Sequence, residues 1–426
     1  MNADQQILTQ LAKEYREVAF APVNEERRAL WKALNGLREC RPLIMMDQLP
    51  WHELDVDGDL KLRCRDADAR IVEDALRKQL YQAKYFPADK VFEPYLELPK
   101  TIEGYHHGVV RREVTLAADE KNDVVSHSYV SQLSSESDLE NLKFPDIRVD
   151  EAKDKKRWEK VSEMVSGILP VRLTGVRMFH CGIWDDLVEA IGTDNFFFFF
   201  ADEPELLHKA ARRMADICQS LIDQLTEKQL FDAYEPTVHC TGAYTDELPQ
   251  DKEKNVRPGD VWTFGLAQML GSVSPQMFEE YEVEYVKPLL EQFGLVYYGC
   301  CEPLHNRIDY IRKIKNVRKI SMSPWADIRA GAEHIHGDYV ISRKPNPAYL
   351  AAASFEPELV RRELQETCRA AKENGCTCEL ILKDVSTVQY HPERLGAAHK
   401  NAGEGGAAQT SRAAGAVAQD CSRGCR

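Results

Sequence analysis

The chain has 426 residues, of which 43% are hydrophobic and 29% charged, and its formal net charge is -14. These proportions are typical of a folded globular protein and exclude the fibrous and disordered classes. The negative charge disfavours nonspecific binding to nucleic acid or to an anionic membrane.

No segment of the sequence predicts export or membrane insertion. The most apolar window, 196–200, is flanked by acidic residues and is far shorter than the roughly 18 residues of a membrane-spanning helix. The N-terminal residues predict an amphipathic helix rather than a signal peptide. Twelve cysteines scattered over such a chain are expected to stay reduced. We therefore expect a cytoplasmic protein without a disulfide framework.

Residues 1–160 predict a region of helices followed by a β-hairpin. Residue spacing predicts two helices over 4–38 broken near 21–24, a strand at 42–47 and a helix at 66–86. Between 108 and 130, two alternating segments flank a polar turn at 119–123, which predicts the hairpin. This region is expected to pack on the following domain or to contribute to it.

Strands and helices alternate through residues 161–395. The predicted strands are 168–175, 230–239, 295–299, 318–322, 338–342 and 378–382. The predicted helices are 183–191, 204–228, 274–293, 303–314, 325–334 and 356–374. Such alternation predicts a parallel sheet with right-handed crossovers, and its length favours a (β/α)8 TIM barrel with N-terminal helices and a β-hairpin insertion.

The last segment, 396–426, differs from the rest in composition. It is rich in Ala and Gly, has no aromatic residue, and contains Val417 as its only branched aliphatic residue. Such a segment buries too little apolar surface to offset the entropy of ordering, so we predict a disordered tail. We assign no role to Cys421 or Cys425.

The candidate functional residues follow from the barrel prediction, because the active sites of such barrels lie at the carboxyl ends of the strands. In the run YYGCCEPLH, strand 295–299 leads directly into four candidates, Cys300, Cys301, Glu302 and His305. The other strand ends carry His180, Trp184, His239, Tyr244, Asp246, Arg343, Lys344, Lys383 and Asp384. We expect these side chains to form a ring around one mouth of the barrel.

The run at 300–305 has the composition of a metal or acid–base site. Cys301 and His305 stand four residues apart, which places them on one face of a helical turn. Thiolate, carboxylate and imidazole are the ligands of open catalytic zinc sites. We therefore name Cys301, Glu302 and His305 as catalytic candidates. The candidate zinc ligands are Cys300, Cys301, Glu302, His305 and His239.

Each of these residues also has a simpler interpretation. A Cys-Cys pair at a strand end is also compatible with one buried thiol, and His305 with a packing histidine. Arg343, Lys344 and Lys383 are either solvated cations or groups that bind an anionic ligand in the barrel mouth. Cys376 and Cys378 begin a strand, away from the carboxyl ends, and are read as structural.

Several segments resemble the uroporphyrinogen decarboxylase superfamily and, within it, the cobalamin-dependent methyltransferase branch. The resemblance covers about residues 160 to 395. It rests on PVRLTGVRMFHCGIWDDLVEAIGTDNFFFFFADEPELLHKAARRM, QMLGSVSPQMFEEYEVEYVKPLLEQFG, LVYYGCCEPLHNRI, RKISMSPWADI and LILKDVSTVQYHPERL. It implies a (β/α)8 barrel.

The chain departs from both branches of that superfamily at their signature motifs. The decarboxylase has an arginine-rich run where this chain reads RPLIMMDQLPWHELD. The methyltransferase branch holds zinc with a His-x-Cys element and a distant Cys, whereas YYGCCEPLH lacks the His and LILKDVST lacks the Cys. A bound zinc would therefore need Glu302, His305 or His239 as substitute ligands, and a site without zinc remains open.

The resemblance implies a corrinoid-dependent methyltransferase that moves a methyl group between a small methyl ether or methylamine and a separate corrinoid protein. Cys301, Glu302 and His305 would supply the metal or proton function. The expected substrate contacts are His180, Trp184, His239, Tyr244, Asp246, Arg343, Lys383 and Asp384. The alternatives are decarboxylation of a tetrapyrrole and a non-catalytic barrel that binds a corrinoid or tetrapyrrole.

Overall fold

The computed structural model describes residues 2–116, 126–165, 167–234, 236–249 and 252–398. The predicted hairpin turn at 119–123 lies outside the described residues, as does most of the predicted tail, from 399 onward. Residues 396–398 belong instead to a helical segment that begins at 393. None of the described helices is long and apolar enough to span a membrane.

The strands of the described residues are numbered in chain order. They are β1 (Leu43–Met46), β2 (Leu96–Pro99), β3 (Ile102–Glu103), β4 (Glu113–Leu116), β5 (Ser126–Tyr129), β6 (Arg148–Val149), β7 (Val171–Thr174), β8 (Met178–Cys181), β9 (Thr237–Val238), β10 (Thr241–Gly242), β11 (Trp262–Gly265), β12 (Leu295–Tyr298), β13 (Val317–Met322), β14 (Val340–Arg343) and β15 (Cys378–Leu382).

The α-helices of the same residues are numbered likewise. They are α1 (Ala3–Ala19), α2 (Val23–Asn35), α3 (Trp51–Leu54), α4 (Ala67–Tyr85), α5 (Glu151–Met164), α6 (Ile183–Ile191), α7 (Thr193–Asp202), α8 (Pro204–Glu227), α9 (Pro275–Phe278), α10 (Glu284–Leu290), α11 (Ile308–Ile311), α12 (Ile328–Ile335), α13 (Ala348–Ala351) and α14 (Pro357–Glu373). A π-helical segment, Glu279–Val283, joins α9 to α10.

The core of the fold is a seven-stranded sheet in the order β1-β15-β14-β13-β12-β11-β8. Every pairing within it is parallel, and the strands follow chain order from one edge to the other once β1 is set beside β15. The mixed α/β architecture with a parallel central sheet is thus as predicted. Closure into an eight-stranded barrel stays a prediction, since β1 and β8 are the two edges of the sheet.

Two predicted strands do not enter the central sheet. Half of 168–175 forms β7, which pairs with β2 of the N-terminal region, and the sheet strand is the unpredicted β8 just after it. The segment 230–239 supplies only an isolated bridge at Phe231 and the short strand β9, which pairs antiparallel with β10. β11 was not predicted either, because WTFG is only four residues long and shows no alternation.

The predicted helices are confirmed at most positions, with two differences that matter. The helix expected at 303–314 is reduced to α11, so residues 301–305 are not helical and the i, i+4 argument for Cys301 and His305 fails. The helices α5 and α7 were not predicted. The helix that starts at Pro275 is capped as expected, since the Ser274 hydroxyl accepts the Met277 N–H at 3.1 Å.

A buried ion pair and a short hairpin occupy the interior beside the sheet. Lys319 of β13 and Glu379 of β15 are both fully buried, and their Nζ and Oε2 atoms are 2.7 Å apart. The hairpin β9–β10 closes over them, because Lys319 also donates to the carbonyl of Gly242 at 3.0 Å and Thr241 donates to Glu379 at 2.7 Å. The Oε2 atom of Glu379 is thus paired twice, whereas its Oε1 atom is buried without a hydrogen-bond partner among the described residues.

Candidate functional site

The candidate site lies at the carboxyl ends of the parallel strands, where β12 turns into the loop that carries Cys300. Gly299 makes this turn with φ at +94°, a value that L side chains rarely adopt. A Cβ atom at Gly299 would lie 2.3 Å from Cδ1 of Leu304. The glycine therefore lets the chain turn sharply enough to direct Cys300 toward the neighbouring strand ends.

Two lysines from adjacent strands converge on Cys300. Lys383, directly after β15, places Nζ 3.3 Å from the Cys300 Sγ. Lys344, directly after β14, donates to the Cys300 carbonyl at 2.7 Å and to the Ser321 hydroxyl at 2.8 Å. Both lysines are buried. One lysine thus contacts the Cys300 thiol and the other contacts its carbonyl, in a place from which bulk water is largely excluded.

The two adjacent thiols carry different charges. Cys300 and Cys301 place their sulfur atoms 3.6 Å apart. A hydrogen bond from Cys301 lowers the pKa of the Cys300 thiol, and Lys344, His239 and Lys383 lower it further. The same hydrogen bond raises the pKa of Cys301. Cys300 is therefore the thiolate of the pair, and Cys301 retains its proton.

The lysines respond to this thiolate in different ways. Burial alone would lower the pKa of Lys383, but Cys300, Cys240 and Asp384 outweigh it and raise that pKa. The Asp384 carboxylate is 3.0 Å from its Nζ. Burial dominates for Lys344 and lowers its pKa, with the neighbouring Lys383 acting in the same direction. Lys383 is thus the more firmly charged of the two.

His239 stands between the lysines and an aromatic wall. Its ring stacks on Phe264 of β11 at 4.1 Å between centroids, and His180 of β8 faces the same phenylalanine at 5.4 Å. Burial lowers the pKa of His239 to about 4, so the ring is neutral at neutral pH. Its Nε2 lies 3.4 Å from Lys383 Nζ and 3.5 Å from Lys344 Nζ, which suits a lone pair that accepts from ammonium groups.

A cavity of about 340 Å³ opens beside these groups. Its polar floor is made by Cys301, Lys344, Lys383 and Asp384, and its apolar rim by residues that include Pro324, Trp325, Pro345 and Pro347. Trp325 is 71% exposed. The volume is at the small end of the range for ligand pockets, so the site suits a compact molecule.

Glu302 serves the backbone rather than the cavity. Its carboxylate accepts the N–H of Cys300 at 2.8 Å and the N–H of Ala267 at 3.1 Å, and its side chain is buried. Burial raises its pKa. Glu302 is therefore a positioning residue that joins the loop after β12 to the loop after β11.

We expect Glu302→Ala to lower the free energy of unfolding by about 2 kcal/mol, because two backbone N–H groups lose their acceptor. Glu302→Gln keeps one acceptor oxygen and should lose clearly less. Urea unfolding of the two variants and the parent chain measures both effects. Equal stability of the alanine variant and the parent would contradict this role for Glu302.

The structure does not bring His305 or Trp184 to the cavity. His305 lies against α12, where its Cβ would be 3.7 Å from a Cβ built on Gly331, and its Nδ1 is buried without a hydrogen-bond partner in the described residues. Trp184 is fully buried in the core and donates to the Tyr281 carbonyl at 2.8 Å. The sequence placed both in the site only because they follow a strand end or a candidate ligand.

Three further predicted contacts are engaged elsewhere. The Tyr244 hydroxyl donates to Glu93 in a buried network. Asp246 is exposed and pairs with Lys32 of α2 at 2.9 Å. The Arg343 guanidinium is buried, where it donates to the Ser323 carbonyl at 2.7 Å and pairs with Glu363 at 2.7 Å. Each of these polar groups thus has partners within the protein.

The residues present do not fit the predicted zinc site. Of the five candidate ligands, Glu302 is bound to backbone N–H groups and His305 lies against α12. The remaining set of Cys300, Cys301 and His239 lies next to the Lys383 ammonium, which repels a dication. In the described part of the chain, no group of three or more His, Cys, Asp or Glu side chains is arranged to hold a metal ion.

Sequence reasoning missed part of the cluster. Lys344 was read as one of several strand-end cations without a defined partner, and Ser321 and Phe264 were not considered. The sequence could have indicated Lys344 and Ser321 as site residues, because both stand at the ends of predicted strands. Phe264 was not, because its strand was not predicted.

No family model matches the chain, and no curated protein matches it. Among solved structures, it is similar to a methyltransferase from Methanosarcina mazei, with 12% sequence identity and a TM-score of 0.48 over 88% of this chain and 97% of that chain. A similarity at this level assigns no residue role and no activity to the chain.

Proposed function

We propose that this protein is a methyltransferase that moves a methyl group between a small methyl ether and a corrinoid held by a separate protein. The observation that carries the proposal is the pairing of the Cys300 thiolate with the Lys383 ammonium, 3.3 Å apart beside the cavity. The sequence resemblance suggests the corrinoid partner, and the charges of the site favour the ether.

Lys383 can supply the proton that ether cleavage requires. When the methyl group leaves, the ether oxygen becomes an alkoxide or, from an aryl ether, a phenoxide, and a proton donated as the bond breaks makes it a better leaving group. The thiolate of Cys300 keeps Lys383 charged in a buried place, as its raised pKa indicates. In the forward direction the ammonium gives its proton to the departing oxygen, and in reverse the free amine takes it back.

The charge of the site argues against the methylamine alternative. A methylammonium nitrogen next to the Lys383 ammonium would meet a like charge at low dielectric and has no lone pair that could accept the Lys383 proton. An uncharged ether, or one that also carries a carboxylate, avoids this repulsion and can accept hydrogen bonds from the same groups. The proposal therefore selects the ether from the two classes that the sequence leaves open.

The rim of the cavity fits the approach of a flat macrocycle. Trp325 is exposed and stands among Pro324, Pro345 and Pro347, which together offer an apolar surface. A corrinoid presented by its carrier protein would supply the methyl acceptor or donor there. The chain's own residues hold the substrate and move the proton.

The test measures methyl transfer from 4-methoxybenzoate to free cob(I)alamin. The absorbance change of the cobalamin reports the transfer. We expect Lys383→Met to lower kcat/KM at least tenfold, because a charge-assisted hydrogen bond of about 1.5–3 kcal/mol is lost from the transition state. Lys209→Met is the matched control, since Lys209 forms an exposed ion pair with Glu136 far along the chain from the cluster.

Other outcomes decide between the alternatives. Transfer from methylamine but not from the ether would overturn the substrate class. If the purified protein held one zinc ion per chain and Cys300→Ser lost it, the proposal that Lys383 donates the proton without a metal would be overturned. Release of CO2 from uroporphyrinogen would favour decarboxylation, and corrinoid binding without turnover of either donor would indicate a binding protein.

A further inference from the structure

Cys300 and Cys301 form an unusual pair among the described cysteines. They are adjacent in the chain, their sulfur atoms are 3.6 Å apart, and Cys301 lines the cavity. Lys383 Nζ lies 3.3 Å from the sulfur of Cys300. The pair thus combines two close sulfur atoms, a cationic partner for Cys300 and access to the cavity through Cys301. The function proposed above requires no role of Cys301.

A second pair of neighbouring thiols provides the contrast. Cys181 of β8 and Cys218 of α8 interact with each other, but both lie in the hydrophobic core. A hydrogen bond from Cys218 and burial together raise the pKa of Cys181. Proximity of two sulfur atoms is therefore not sufficient for reactivity, because an un-ionised thiol in an apolar core is inert.

We propose that a hydroperoxide entering the cavity oxidises Cys300, that Cys301 then closes a disulfide with it, and that this bond reversibly switches the site off. The modification itself follows from the geometry of the two thiols. Its effect on turnover rests on the proposed function, since it removes the thiolate that holds Lys383.

The two steps balance in atoms and electrons. The Cys300 thiolate attacks one oxygen of hydrogen peroxide, the O–O bond breaks, and the departing hydroxide takes a proton from the nearby Lys383 ammonium to leave as water. The Cys301 sulfur then attacks the Cys300 sulfenic acid, forms the S–S bond and expels hydroxide, which combines with the thiol proton as a second water. Two electrons pass from the sulfur atoms to the peroxide.

The resulting bond is expected to be easily reduced. Adjacent residues across a trans peptide have Cα atoms about 3.8 Å apart, whereas relaxed disulfides need about 4.4–6.8 Å. A disulfide between Cys300 and Cys301 is therefore strained, and strained disulfides belong to the labile, regulatory class rather than the structural one. A small thiol should reverse the modification.

The experiment treats the full chain with a small excess of hydrogen peroxide, without any methyl donor, and maps thiols by mass spectrometry after alkylation. We expect the peptide containing both cysteines to lose two hydrogen atoms and to regain them with dithiothreitol. Cys301→Ser should instead accumulate the sulfenic or sulfinic acid at Cys300, and Lys383→Met should form the disulfide at least fivefold more slowly.

Cys218→Ser is the matched control and should leave the reaction at Cys300 unchanged. Oxidation of Cys300 no faster than of Cys181 would overturn the proposal, as would a stable Cys300 sulfenic acid in the parent chain or a covalent link to Lys383 in place of the disulfide. The mapping is independent of turnover. A disulfide in a protein without methyl transfer would refute only the proposed function, and methyl transfer without a disulfide only this inference.

Discussion

Lys319→Met is expected to lower the free energy of unfolding by about 3–5 kcal/mol, because it leaves the Glu379 carboxylate buried without its cation. Both side chains are fully buried, and the Nζ–Oε2 distance is 2.7 Å. Thr241 would remain as a hydrogen-bond donor to Glu379, but a neutral donor does not replace an ammonium group. Urea unfolding followed by tryptophan fluorescence measures the loss.

The double variant Lys319→Met/Glu379→Leu separates a buried charge from poor packing. If the loss arises from the unpaired carboxylate, the double variant should be clearly more stable than Lys319→Met alone, because it removes the charge as well. Lys209→Met, which breaks an exposed pair, should change the stability by less than about 1 kcal/mol. A Lys319→Met variant that matches this surface control would show that the ion pair contributes little.

Cys300 is expected to react with iodoacetamide at a rate that changes less than threefold between pH 9 and pH 6.5. Its pKa is lowered by the hydrogen bond from Cys301 and by the lysines, so the thiolate persists throughout this range. Cys40 is the internal reference, since burial raises its pKa to about 11. Its rate should fall about 300-fold over the same 2.5 pH units, because only the thiolate reacts.

Site-resolved mass spectrometry of the alkylated chain gives both rates in one sample. Lys383→Met removes one of the cations that lower the pKa of Cys300. As the pH is lowered, the alkylation rate of Cys300 in this variant should therefore begin to fall at a higher pH than in the parent chain. The lowered pKa of Cys300 also makes the stability of the fold depend on pH. A depressed thiol pKa stabilises the fold above the unfolded value of about 8.5, and this contribution is lost as the pH falls toward the folded value. A Cys300 profile parallel to that of Cys40 would contradict the assignment of the thiolate.

The differences between predicted and observed elements have local causes. β8 and β11 contain only four residues each, too few to show a period, although both belong to the seven-stranded sheet. The longer segment at 230–239 has a strand-like composition, but it forms an isolated bridge between Phe231 and Val176 and a short hairpin with β10. Its last residue, His239, donates its N–H to the Met178 sulfur of β8. Composition predicted an extended chain there, and tertiary pairing decided which short segments joined the sheet.

The sequence by itself determined that strands and helices alternate, and it located Cys300, Lys344 and Lys383 at strand ends. These follow from periodicity and from the rule that parallel strands end at one edge of a sheet. It did not determine which way each side chain points after the strand ends.

Only the tertiary structure decided that Glu302 binds backbone N–H groups, that His305 packs on α12 and that two lysines converge on Cys300. The physical reason is that burial and charge act through space: the same lysine is a solvated cation on a surface and a partner of a thiolate when neighbouring strands bury it. The run YYGCCEPLH thus contains one half of the site, and strands β14 and β15 bring the other half to it.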